Sequence, residues 1–327
     1  MVETRRQFIV LGAGLVLLLV LPFIAQALGS PQLLTIGTRV VIYAMAAASL
    51  DLILGFGGMV SFGHAAFFGL GGYVVGILAF QSSEGTALFG FIPGATASWI
   101  TWPAAMLVSA AAAAIVGALS LRTSGVHFIM ITLAFAQMLF FLFVSLKVYG
   151  GDDGMSFRRR NEFPGLDLRD STAFYYVCLG LLLAFLFLCR QLVRSRFGMV
   201  LQGIRQNERR MGALGLAAYR YKLTAFIIAG GGAGLAGALM ANFLRFVSPD
   251  MLHWTKSGEL MVMVILGGVG TLFGPVFGAA ALVGLESVLA GWTEHWMFVL
   301  GPLLVIIILF AKRGVYGFLA GIGGPKG

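Results

Sequence analysis

From Phe8 to Ala25 the chain carries no charged side chain, a stretch of 18 residues. As an α-helix rising 1.5 Å per residue, such a stretch is about 27 Å long, close to the roughly 30 Å hydrocarbon core of a bilayer. Runs of the same kind recur along the whole sequence, and they dictate the solvent. Apolar residues make up 59% of the 327 positions and charged residues 11%, with a mean hydropathy of +0.94. A soluble domain of this length could not cover its surface with so few charges. In lipid every backbone N–H and C=O must be paired within the protein, which leaves helices or a closed barrel. The runs are continuously apolar, without the alternation of barrel strands, so a barrel is excluded. The 46 Gly suit close helix–helix contact. The expected fold is therefore all-α: a polytopic transmembrane helical bundle forming one domain over residues 1–327.

Ten spans are expected, at about 8–28, 38–57, 62–80, 99–121, 126–147, 172–192, 222–242, 259–273, 275–291 and 296–311. The eighth and ninth are short and interrupted by Gly and Pro. An even count puts both termini on one side. With that side cytoplasmic, the inner segments hold 14 of the 22 Lys and Arg against two acids, Glu3 and Glu208. Such an inward excess of Lys and Arg is what orients a membrane protein. Trp99, Trp102, Trp254, Trp292 and Trp296 then all fall at the outer interface, where an apolar ring with one N–H is well placed. Loop 148–171 is outside, and Asp170, Ser171 and Thr172 offer N-caps for the sixth span. Thr4-Arg5-Arg6-Gln7-Phe8 resembles a twin-arginine export signal, and Ala25-Gln26-Ala27 a cleavage site. The apolar run behind them exceeds a usual signal core, so a retained first helix anchored by Arg5 and Arg6 is expected.

The net charge of +9 is carried by the inner face, which accounts for it without nucleic acid as a partner. Between Arg190 and Lys222 eight Arg or Lys stand against the single acid Glu208. Phe197, Val200, Leu201, Ile204, Met211 and Leu214 fall largely on one face at helical spacing. A helix this short is marginal alone in water, so its apolar face needs a cover. A partner protein or the membrane surface, with Arg on anionic headgroups, would serve. Cys178 and Cys189 lie 11 residues apart in one helix, about 16 Å along its axis, too far to pair.

Enzyme chemistry finds no support. The four His have no metal-ligand spacing, and no Lys follows a phosphate-binding glycine loop, so neither a metal site nor a cofactor is expected. Gly232-Ala233-Gly234-Leu235-Ala236-Gly237 matches the dinucleotide pattern but lies inside an apolar span. There it reads as a small-residue stripe for helix packing. Asp51 and Glu286 are intramembrane acids and should face the protein interior. Asp51 reads as a hydrogen-bonded cap at the Gly55–Gly58 break or as part of a relay; Glu286 stays open between such roles. Ser61 and His64 open the third span, where a helix N-terminus could line a path or gate. Thr132 and Gln137 are polar groups among apolar ones in the fifth span. Gly58-Met59-Val60-Ser61-Phe62-Gly63 is faintly echoed by Gly270-Thr271-Leu272-Phe273-Gly274. Paired Gly-interrupted segments point to transporter binding regions. An ion- or proton-coupled secondary transporter using Asp51 and Glu286 is one class consistent with these residues.

A resemblance favours another class. Ser49-Leu50-Asp51-Leu52-Ile53-Leu54-Gly55-Phe56-Gly57-Gly58, continuing through Ser61-Phe62-Gly63-His64 to Gly69, resembles the signature of branched-chain amino-acid ABC permeases. Thr123–Phe128, Thr132–Gln137, Gly150–Gly154, Val269–Pro275 and Phe310–Gly314 resemble the LivM-type subunit in the same order. Gly203-Ile204-Arg205-Gln206-Asn207-Glu208-Arg209-Arg210-Met211-Gly212-Ala213-Leu214-Gly215 is similar to that family's cytoplasmic coupling helix, departing at Gln206, Arg210, Met211 and Gly212. The resemblance implies an importer subunit in a bacterial or archaeal cytoplasmic membrane. It implies an ATPase-docking loop at 193–221 using Arg205, Asn207, Glu208, Arg209, Leu214 and Gly215; the path candidates, from their own chemistry, are Asp51, Ser61, His64, Thr132, Gln137 and Glu286. The implied partners are a homologous second permease, two ABC ATPases, a periplasmic or lipid-anchored binding protein, and membrane lipid. The implied substrates are branched-chain or related amino acids.

Overall fold

The computed structural model describes residues 5–85, 87–88, 92–157, 159–292, 295, 298–302, 304–305 and 314–319. The long helices are α1 (Arg5–Ala27), α2 (Pro31–Asp51), α3 (His64–Glu84), α4 (Ser98–Ser120), α5 (Val126–Ser145) and α6 (Ser171–Arg194). After α6 come two short helices, α7 (Arg196–Gln206) and α8 (Glu208–Ala213), then α9 (Ala218–Leu244), α10 (Trp254–Gly267), α11 (Gly274–Trp292) and α12 (Gly314–Leu319). Eight of these segments are long and apolar enough to cross a membrane, α2 together with the π turn Leu52–Phe56 that continues it. The polytopic helical bundle expected from the sequence is thus present. One of the ten expected spans differs. The eighth is the 14-residue α10, which stops at Gly267 because the chain turns at Gly268, φ +117, a region open to Gly. The tenth, 296–311, lies mostly outside the described residues.

The bundle has two distinct ends. At one, β3 (Met155–Ser156) pairs antiparallel with β4 (Phe246–Val247), and the Phe157 N–H donates to the Arg245 carbonyl at 3.1 Å. This joins the 148–171 loop to the segment that follows α9. Arg245 itself takes φ +54, the one non-Gly residue in the left-handed region among those described, and so turns the chain out of α9 into β4. Asp170 caps α6 there, accepting from the Thr172 and Ala173 N–H groups at 3.1 and 3.2 Å. A small hairpin of β1 (Ala87–Leu88) and β2 (Ile92–Pro93) follows α3. At the opposite end lie α7 and α8. α9, at 27 residues, is about 40 Å long and reaches from one end to the other.

The core is built on α2, α3 and α9, the three most buried spans. α9 fits between α3 and α4 by its small residues. Gly237 sits against the Phe68 carbonyl, Gly234 against Ser109, and Gly230 against Ala113. This is the stripe that matched the dinucleotide pattern, and it is occupied by helix packing. α1 is largely uncovered and is tied to α6 by Tyr175 and Tyr176, whose hydroxyls donate to the Leu18 and Leu19 carbonyls at 2.6 and 3.1 Å. Phe23, Leu107, Phe141 and Phe187 project outward from their helices, apolar surface that suits lipid and not water. Trp99, Trp254 and Trp292 are exposed at helix ends, Trp254 beside Phe62 just ahead of α3 with ring centroids 6.4 Å apart. Trp102 is not: it is buried and packs on Phe163 with ring centroids 6.0 Å apart, so it is a core residue and no interface anchor. Trp296 lies outside the described residues. Cys178 and Cys189 are buried and unbridged.

Candidate functional site at the paired helix breaks

Two helices break at the α7 end, and the breaks meet. α2 loses α geometry after Asp51, runs through the π turn Leu52–Phe56, and turns at Gly58, φ +68, before α3 begins at His64. α10 and α11 are separated by residues 268–273, with Gly270 at φ +74. Asp51 Oδ1 accepts the Gly270 N–H at 2.9 Å. Gly55 lies so close to the Gly270 backbone that a Cβ there would strike both Gly270 and the Asp51 carboxylate. The two segments with echoing sequences are therefore in contact. Asp51 is buried, and its bond goes to the other break, where a cap on its own helix was expected. α12 joins the same layer through Gly314, which abuts Gly267 and Gly268.

α7 seals this layer. The Arg205 Nη1 donates to the Gly55 carbonyl, and the Arg205 stem lies along Gly58. Leu201 and Ile204 are buried by this chain itself. The apolar face for which the sequence offers no cover is thus largely covered by the bundle. The single expected coupling helix is also two. The backbone of Asn207 is extended, and its Oδ1 accepts the Arg210 N–H at 3.0 Å, which caps α8. Gly215, φ +81, closes α8 by the left-handed turn that favours Gly. Glu208 pairs with Lys222 at 2.6 Å. Arg205, Asn207, Glu208, Arg209, Leu214 and Gly215 are all exposed, as is Met199.

A polar cluster lies just above the α2 break. His64 is fully buried, with Nε2 2.8 Å from Ser49 Oγ. The Ser49 hydroxyl already donates to the Ala46 carbonyl at 2.7 Å, so Nε2 is the donor in the His64 contact, and Nδ1 has no partner. Ser61 Oγ accepts the Gly63 N–H at 3.2 Å, and Ser257 Oγ accepts the Ala65 N–H at 2.8 Å. These satisfy free N–H groups at the start of α3. Thr132 is buried with its backbone against Gly63, and its hydroxyl donates to the Ile129 carbonyl at 2.9 Å. The structure thus brings Ser61, His64 and Thr132 together and adds Ser49 and Ser257. Gln137 is half-buried further along α5.

Glu286 stands apart from these groups. On α11 it accepts from Arg39 Nη2 of α2 at 3.1 Å, with both side chains about 30% exposed (31% and 28%). Lys256 and Glu259 of α10 pair at 2.9 Å. Nothing in the sequence singles out Arg39; only the fold sets it opposite Glu286. Asp51 and Glu286 both have partners, one a backbone N–H and the other a guanidinium.

The sequence that builds this arrangement matches a known family. The model for the permease component of branched-chain amino acid transport systems matches residues 32–308. The high-affinity branched-chain amino acid transport system permease protein LivM of Salmonella typhimurium is 29% identical to this chain. The alignment covers 96% of this chain and 76% of that protein. The protein of the same name from Escherichia coli is 30% identical with the same coverage. No solved structure matches. The family match takes in both helix breaks and the α7–α8 segment, and this chain belongs to the permease component family of branched-chain amino acid transport systems.

Proposed function

We propose that this chain is the membrane-spanning subunit of an ABC importer and forms part of the translocation path for branched-chain or related amino acids. Separate ATPases supply the energy. One observation carries the reading: exposed residues on α7 and α8 are joined through Arg205 to the α2 break inside the bundle. Such residues are suited to receive a moving partner and pass the motion inward. Arg209, Glu208, Leu214 and Gly215 form the outward contacts. Ser61, His64, Thr132 and Gln137 lie along the path, with Asp51 at its inner end and Glu286 toward the outer one. The α7–α8 end and both termini are cytoplasmic; the β3–β4 end faces the binding protein. A homologous second permease and two ATPases complete the assembly.

The test is reconstitution with those partners. The wild-type complex takes up radiolabelled leucine only with ATP, and this chain alone does not. Glu208→Arg and Leu214→Asp keep membrane insertion but lose ATPase co-purification or coupling. Wild-type uptake by both variants would remove the docking reading. Leucine accumulation by the single chain on an ion gradient would instead support a secondary transporter using Asp51 and Glu286.

A further inference from the structure

We infer that Arg205 is the latch between the ATPase-facing segment and the inner gate, holding the two helix breaks together until α7 moves. The inference rests on the importer reading above and concerns a contact inside this chain. The family resemblance makes Arg205 one of several polar contacts for a partner. Its geometry points the other way. The guanidinium donates to the Gly55 carbonyl, and Nη1 also approaches Gly270, while the side-chain stem fills the space beside Gly58. One side chain therefore bonds one break and lies beside the other, and it comes from the helix below them.

Three features make this contact a hinge point. Gly55, Gly58 and Gly270 carry no side chains, so backbone meets backbone, and a Cβ at Gly55 would force the breaks apart. Gly58 and Gly270 take positive φ, which lets each break pivot without the penalty a side chain would impose. The Ile53 and Leu54 carbonyls of the π turn accept from the Met59 and Gly58 N–H groups at 2.8 and 3.2 Å, whereas the donor to the Gly55 carbonyl comes from Arg205 on another helix. A cation supplies a stronger bond than a neutral donor would. Withdrawing α7 removes the donor from Gly55. What remains is the single Asp51–Gly270 bond, and the breaks can separate.

Arg205 on this account is a positioning residue, and its loss should uncouple the machine without dismantling it. The measurement uses the assembled importer in proteoliposomes: this chain, the second permease, both ATPases and the binding protein. Arg205→Gln, which keeps a donor but no charge, is compared with Arg205→Lys, which keeps the charge and one donor. Leucine moved per ATP hydrolysed is expected to fall by about tenfold in Arg205→Gln, within the usual range of coupling between sites. ATPase co-purification stays at the wild-type level, and Arg205→Lys recovers part of the ratio. An unchanged ratio in Arg205→Gln overturns the latch. So does loss of the ATPases from the complex, which would place Arg205 in the docking surface. Should Arg205→Gln fail to accumulate in the membrane, Arg205→Lys decides alone: a wild-type ratio overturns the latch, and a reduced ratio with ATPases retained supports it. Failure of the importer reading would look different, because the wild-type complex itself would then show no ATP-dependent uptake.

Discussion

Asp51 and Gly270 are 219 positions apart, yet the carboxylate of one accepts the backbone N–H of the other at 2.9 Å. This bond joins a broken α2 to the turn between α10 and α11. It predicts an ordered series. Asp51→Asn keeps an acceptor for Gly270 and should cost little stability. Asp51→Ala leaves a part-buried N–H unpaired, a loss of about 1–3 kcal/mol. Melting of the detergent-solubilised protein should rank wild type and Asn together and Ala below. Equal melting of Asn and Ala would mean the bond contributes nothing.

The ion pair of Arg39 with Glu286 predicts a rescue. Removing one partner strands the other charge inside the bundle. With both side chains about 30% exposed (31% and 28%), the effect lies between that of a surface pair and a buried one. We expect a loss on the order of 1–3 kcal/mol for Arg39→Met. The double variant Arg39→Met with Glu286→Met should regain most of it, since no charge is then left behind. Additive losses in the double variant would count against the pairing.

Glycine packing predicts a contrast within one residue type. Gly237 faces the Phe68 backbone, so Gly237→Ala forces α3 and α9 apart and should cost roughly 1–3 kcal/mol. Gly180 on α6 is open: a methyl group added there would meet nothing within 4 Å. Gly180→Ala should therefore be neutral or gain up to about 1 kcal/mol of helix propensity. Thermal stability of the two variants, measured side by side, should move in opposite directions or leave Gly180→Ala unchanged.

Orientation predicts a labelling pattern. Asp153 and Gly212 are both exposed, at opposite ends of the bundle. In intact cells an impermeant thiol reagent should modify Asp153→Cys and spare Gly212→Cys. Cys178 and Cys189 are buried and should not contribute a background. The reverse pattern would invert the topology.

The helices themselves were legible from sequence because their signals are local. Continuous apolar length set them in a membrane, Asp170 announced the start of α6, and the glycines at 58 and 270 marked where helices stop. The small-residue stripe on α9 was equally plain, since its spacing is a property of one helix. Which face of each helix turns inward was not legible. In a soluble protein, polar and apolar faces differ, and the contrast reports orientation. In lipid the outer face is as apolar as the core, so the contrast is gone. That is why Trp102 reads as an interface anchor although it is buried, and why the apolar face of α7 reads as awaiting a partner although Leu201 and Ile204 are covered by this chain. Only the tertiary structure could set Arg39 against Glu286, His64 against Ser49, and Arg205 on the carbonyl of Gly55. Those contacts join different elements of the fold, and no local periodicity encodes them.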